Sequence, residues 1–158
     1  MAKKPRSIRE AAMDYLSRRE HATHELFQKL LLKDYEAEDI SAALQRLTDE
    51  NLLSDSRFTE AFINQRMNRG SGPLKIRAEL RQKGVSDAMI GTFLDERDVR
   101  WKESALAVKI RKYGSESPSD LKEQARQSRF LQSRGFSSEQ TRYAMNHNDF
   151  ESCDTDYD

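Results

Sequence analysis

The sequence predicts an all-α protein built from three tandem three-helix repeats, stacked into an elongated, curved, right-handed solenoid-like array. Three observations carry this expectation. Apolar residues recur at helical spacing along the chain, and no alternating apolar run or hairpin dipeptide flanked by β-branched residues competes with them. The pattern then repeats. Leu26 and Leu30 match Ile76 and Leu80 at an offset of 50, as Ile40, Ala43 and Leu44 match Ile90, Phe93 and Leu94; Thr141, Ala144 and Met145 follow one residue further on. Finally, one joint recurs: Lys83-Gly84-Val85-Ser86 and Arg134-Gly135-Phe136-Ser137 each give a basic last turn, a glycine C-cap, an apolar residue and a serine N-cap. Lys33 marks the equivalent helix end in the first repeat. Units that contact mainly their neighbours stack into a curved body with a concave side, a shape that favours a long partner.

The expected partition is a basic arm over 1–6, repeats over 7–53, 54–98 and 99–148, and an acidic tail over 149–158. In the first repeat, Ile8, Ala12, Tyr15 and Leu16, then Leu26 and Leu30, give two helices broken near Arg19-Glu20-His21. Glu25 stands where a capping box would put its acid, but the partner position holds Ala22, which leaves Thr23 as a candidate cap one residue later. The third helix carries Ile40, Ala43, Leu44 and Leu47, and its outer positions are acidic: Glu36, Glu38, Asp39, Asp49 and Glu50.

The second repeat organises the chain. Asp55 or Ser54 can cap its first helix, along which Phe58, Ala61, Phe62 and Gln65 share one side. The corner Gly70-Ser71-Gly72-Pro73 follows: glycines permit positive φ as one helix ends, and proline suits the opening turn of the next. That next helix buries Ile76 and Leu80 and stops at Gly84. Arg66 and Arg69 fall beside the apolar stripe. Arg77 and Arg81 form an i,i+4 row whose like charges repel unless something anionic lies nearby. In the third repeat, Trp101, Ala105 and Val108 serve the first helix, and Ser137 with Gln140 completes a capping box.

Composition limits the function classes. With 158 residues and 36% hydrophobic content, the chain suits thin helical layers better than one large core. Its 27 basic and 27 acidic residues cancel, yet from Arg100 to Arg134 nine basic residues face only four acids. Zero net charge therefore conceals a basic middle and last third, suited to an acidic protein surface, nucleic-acid phosphates, or both. Cys153 alone cannot close an internal disulfide, the start lacks a secretion signal, and no run approaches the roughly 18 apolar residues of a membrane span. A cytoplasmic location is expected. His21, His24 and His147 sit near helix ends, in capping or surface roles rather than as metal ligands. No nucleophile elbow or phosphate loop points to catalysis, and no cofactor is expected. Trp101 and Phe136 fit the apolar pattern better as core than as base-stacking platforms.

The run from Leu52 to Ser86 resembles the central signature of the RecX regulatory proteins, bacterial modulators of the RecA recombinase. It contains acidic-x-Arg-Phe at Asp55, Arg57 and Phe58, Gly-x-Gly-Pro at Gly70, Gly72 and Pro73, Ile-x-x-Glu-Leu at Ile76, Glu79 and Leu80, and Lys-Gly at Lys83 and Gly84; Gly135 repeats the last joint. The resemblance implies a non-enzymatic monomer that docks in the groove of the RecA filament on single-stranded DNA. It would modulate, mostly inhibit, ATP hydrolysis, strand exchange and coprotease activity, and so act in recombinational repair and SOS regulation. Arg66, Arg69, Lys75, Arg77, Arg81 and Lys83 are then the expected contacts, extended by Arg126, Arg129 and Arg134. Single-stranded DNA is the weaker partner, no membrane is involved, and Arg57 is a structural candidate. Three positions depart from the family pattern: Ser54 replaces a leading Asp, Ser71 stands where an aromatic is common, and Lys75 occupies an arginine position. Two alternatives remain, a DNA-binding regulator of helix-turn-helix type and an adaptor for another helical protein.

Overall fold

A computed structural model describes residues 6–147. Among them, nine helices follow one another without a strand: α1 (Ile8–Arg18), α2 (Thr23–Leu31), α3 (Ala37–Asp49), α4 (Asp55–Asn68), α5 (Pro73–Gln82), α6 (Asp87–Phe93), α7 (Val99–Tyr113), α8 (Leu121–Ser133) and α9 (Ser138–Asn146). Residues 1–5 of the expected arm, the tail from 149 and Cys153 lie outside the described residues.

Compactness divides the chain differently from the repeat. One unit comprises the described residues up to Phe62 with Glu79–Phe93; the other comprises Ile63–Ala78 and the described residues from Leu94 onward. The first unit's core joins Ala11, Ala12, Leu26, Leu30, Ile40, Leu44, Leu47 and Leu53, with Tyr15, Leu16 and Phe27 packed against them. In the second unit, Ile76, Trp101, Ala105, Val108, Leu131, Phe136 and Ala144 are buried. Trp101 and Phe136 are thus core, and the Trp101 indole donates to the Asp95 carbonyl at 2.9 Å.

The recurring joints explain this division. At Gly84 (φ 80°), Gly84 N–H donates to the Arg81 carbonyl and Val85 N–H to the Leu80 carbonyl, the paired bonds that close a helix through a left-handed residue. Gly135 (φ 98°) repeats the pattern onto Gln132 and Leu131. A Cβ added to Gly84 would stand 2.4 Å from the His24 Cβ, and one on Gly135 2.4 Å from the Lys75 Cβ. The joint after the middle helix of one repeat therefore presses its backbone onto the start of the middle helix of the repeat before. Gly72 is part of the second contact: its N–H donates to the Arg134 carbonyl at 2.7 Å, and Leu74 N–H donates to the Gly135 carbonyl at 2.9 Å. The first repeat ends its middle helix with Asp34, held at φ 67° in the equivalent place.

Caps follow the sequence apart from Thr23. Ser86 and Ser137 cap α6 and α9, and Gln140 completes the box. Of the two candidates for α4, Ser54 is the cap, accepting from Arg57 N–H. Asp55 instead accepts from Thr23 N–H at 2.7 Å, so the start of α2 is served from a residue 32 positions away and Thr23 does not cap. On α4 the buried residues are Phe58, Thr59, Phe62 and Ile63, whereas Ala61 and Gln65 are exposed. The packed face is rotated because it closes against core on two adjacent positions per turn. His21, expected at the surface or in a cap, is interior: its Nδ1 lies 3.0 Å from the Arg19 carbonyl and its Nε2 3.2 Å from Lys29 Nζ. Lys109, counted with the basic excess, is also buried, its Nζ donating to the Glu116 carbonyl at 2.7 Å.

Candidate functional site

The signature residues of the second repeat build local structure. Arg57 donates from Nε to Glu20 at 3.0 Å and from a terminal nitrogen to Asn51 at 2.9 Å, tying α4 to the turn before α2 and to the turn after α3. It does not pair with Asp55. Phe58 is buried, with its ring 5.6 Å from that of Phe62. Gly70 (φ 89°) ends α4 and abuts Val108, and Pro73 opens α5, where its missing N–H costs nothing.

The cations expected to make contact divide into two groups. Arg77 pairs with Glu96, and Arg81 donates to Asp87 at 2.7 Å. The anions that the i,i+4 row required are therefore supplied internally. Lys83 donates to Glu25 at 2.8 Å, and Glu25 also accepts from both terminal nitrogens of Arg19, at 2.8 and 3.1 Å. Burial raises the Glu25 carboxyl, but hydrogen bonds and charge from Arg19 and Lys83 outweigh it and hold the group down at about 2. The same contact raises Arg19. Arg126 lies 3.4 Å from Glu123 on the solvent side of α8, a spacing and exposure of little energetic weight. Arg66 is half-buried, and its carbonyl accepts the N–H of Arg69 and of Ser71.

Arg69, Lys75, Arg129 and Arg134 form the second group. The first three are exposed, Arg134 is half-buried, and none has a carboxylate within ion-pair distance among the described residues. Arg69 and Arg134 line one pocket of about 80 Å³, together with Arg111, Lys112, Val108 and Phe130. Lys112 Nζ stands 4.3 Å from the centre of the Phe130 ring and the Arg134 guanidinium 5.3 Å, both held by the ring's negative face. Tyr113 meets the same ring edge-on at 5.6 Å. In the sequence, Arg111 and Lys112 stand out only as part of a charge excess. The signal that marks them is their place at the end of α7, against the corner that carries Arg69 and Gly70.

Charge separates with the units. The described part of the first holds 10 Lys and Arg against 14 Asp and Glu, an excess of four acids; that of the second holds 15 against 8, an excess of seven bases. No group of three or more His, Cys, Asp or Glu that could hold a metal occurs among the described residues, and no described helix is long and apolar enough to cross a membrane.

Comparison with known proteins agrees with this architecture. The models of the first, second and third RecX three-helix domains match residues 9–47, 54–94 and 101–145. The regulatory protein RecX of Halorhodospira halophila is 42% identical over 138 residues, covering 87% of this chain and 86% of that protein. Its counterpart from Pseudomonas syringae pv. tomato is 46% identical over 132 residues, covering 84% and 85%. Among solved structures, RecX from Lactobacillus salivarius superposes with a TM-score of 0.73 at 24% identity, over 87% of this chain and 92% of that one. A second crystal structure of a regulatory protein RecX gives 0.76 at 23%, over 89% and 72%. With its three domain matches in order and relatives above 40% identity over most of both chains, the chain belongs to the RecX family of regulatory proteins.

Proposed function

We propose that this protein binds the RecA filament on single-stranded DNA and modulates it, mainly by inhibiting ATP hydrolysis, strand exchange and coprotease activity, in recombinational repair and the SOS response. Family membership supports the choice of partner. The observation that carries the mode of action is the confinement of the basic excess to one compact unit: 15 bases against 8 acids give a field that attracts a polyanionic assembly while the whole chain stays neutral. Regulation of this kind is steric and stoichiometric, needs no cofactor or catalytic group, and suits a cytoplasmic monomer. Arg69, Lys75, Arg129 and Arg134 are the foremost contacts. Arg66, Arg77, Arg81, Lys83 and Arg126 contribute more weakly: Arg77, Arg81 and Lys83 already face carboxylates of their own unit, Arg66 is half-buried, and Arg126 shares the charge of Glu123. The repeats over 7–53, 54–98 and 99–148 are the proposed modules.

The test adds purified protein at rising ratios to RecA filaments and follows ATP hydrolysis and strand exchange. Inhibition well below one copy per RecA indicates capping of filament growth, and inhibition near equal amounts indicates lining of the groove. Filaments that turn over ATP and exchange strands normally at every ratio would remove the proposal.

A further inference from the structure

We propose that the pocket between the end of α4 and the C-terminal turns of α7 and α8 is a phosphate site, and that it takes a phosphodiester of single-stranded nucleic acid. The repeat supplies an internal control for this assignment. The offset that pairs Leu26 with Ile76 also pairs Arg19 with Arg69 and Glu25 with Lys75, and the joint alignment pairs Lys83 with Arg134. In the first joint, Arg19 and Lys83 converge on the buried Glu25 carboxylate. In the second, both cations are kept and line one pocket, but the acid between them has become an exposed lysine. The backbone contact is the same in both: the start of α2 presses on Gly84 and the start of α5 on Gly135. A scaffold that brackets an internal anion in one joint thus brackets open space in the other.

The surroundings deepen the preference for an external anion. Arg111 and Lys112 add two more cations to the wall, and no acid lines the pocket. Like charges so gathered repel, and an anion arriving from outside relieves the repulsion. A single protein carboxylate would balance one charge of the four. A nucleic-acid strand brings a phosphate at every link, arginine forks match phosphate oxygens in pairs, and Lys75 and Arg129 lie exposed in the same unit to meet further links. The choice of a nucleic-acid strand as the polyanion rests on the filament reading above; the pocket's preference for an anion does not.

The experiment titrates a labelled oligo(dT) with the full chain by fluorescence anisotropy over a salt series, with no recombinase present. Arg69→Ala combined with Arg111→Ala is expected to weaken binding roughly tenfold and to lower the salt slope by about 1.4, near 0.7 for each phosphate contact on a single strand. Lys75→Glu places a carboxylate at the position equivalent to Glu25. It is expected to weaken binding comparably while raising the melting temperature, a combination that simple damage to the fold does not produce. Should the double variant fail to fold, the Lys75→Glu result decides. Unchanged affinity and slope in the folded variants, or an equal loss in Arg9→Ala with Arg18→Ala in the other unit, would overturn the site. So would a polyglutamate peptide that binds as tightly as the oligonucleotide and is lost in the same variants, since the pocket would then serve carboxylates. A wild-type protein that leaves oligo(dT) unbound also sinks the site, while filament regulation is judged separately by the ATP-hydrolysis assay.

Discussion

Lys83 Nζ donates to Glu25 Oε2 at 2.8 Å across 58 residues of sequence, and Glu25 is only 7% exposed. This one carboxylate satisfies the end of α1 through Arg19, the first turn of α2 through the Ala22 N–H at 3.3 Å, and the joint after α5 through Lys83. Removing its charge weakens four hydrogen bonds from three residues, of whose donors Arg19 Nη1 alone also has the Glu20 carbonyl. Glu25→Gln is expected to cost about 3 kcal/mol, the range for breaking a buried pair from one side. Because the folded carboxyl sits at about 2, below its ordinary 4.5, its contribution is full above 4.5 and is lost as pH falls from there toward 2. Urea denaturation across that window should show the gap between wild type and variant closing with acid; a gap that stays constant would refute the linkage.

His21 is expected to titrate in the folded protein below its ordinary value. Burial disfavours the charged ring, and the nearby positive charges of Arg19 and Lys29 act the same way, against the hydrogen bond to the Arg19 carbonyl and the charge of Glu25. The unfolded chain therefore binds the proton more readily, so this stability is full above about 6.5 and falls as pH drops through the lower folded value. An NMR titration of the ring checks this directly. A folded value at or above 6.5 would contradict it.

Glycine substitutions should split by sign. Gly84→Ala and Gly135→Ala combine a left-handed backbone with a Cβ at 2.4 Å from its neighbour, so each is expected to destabilise by about 3 kcal/mol or more. At Gly91, inside α6, nothing lies within 4 Å of where a Cβ would stand, so Gly91→Ala should stabilise by roughly 0.5–1 kcal/mol. Thermal melts of the three variants decide; unchanged or raised melting in Gly84→Ala and Gly135→Ala would mean that the joints are not tight contacts, and a lowered one in Gly91→Ala would refute the open position.

Charge reversal should separate fold from function within the predicted cations. Arg77→Glu sets an introduced carboxylate against Glu96 and is expected to lower stability by about 1–3 kcal/mol. Arg129→Glu, on an exposed position of α8 without an internal partner among the described residues, should change stability by less than about 0.5 kcal/mol yet weaken filament binding. Denaturation curves beside a filament pull-down read both effects. Equal stability losses would place Arg129 in the fold rather than at the surface.

The all-α class, the threefold repeat, the Gly-x-Gly-Pro corner and the serine caps were legible because each depends on near neighbours in sequence: helical periodicity, fixed offsets, and φ preferences of single residues. The charge asymmetry was legible for the same reason, as a count along the chain. What lay beyond the sequence was which charges remain available. Arg77, Arg81 and Lys83 look alike in the sequence to Arg69 and Arg134, yet the first three meet Glu96, Asp87 and Glu25, and the last two meet one another across a pocket. Asp55 likewise caps a helix 32 residues upstream rather than its own. Local periodicity therefore fixes where helices begin, turn and end. Only tertiary packing, within the second repeat for Arg77 and Arg81 and onto the preceding repeat for Lys83, decides which cation finds an internal acid and which is left facing solvent, because an ion pair depends on distance in space, a quantity that spacing along the chain does not carry.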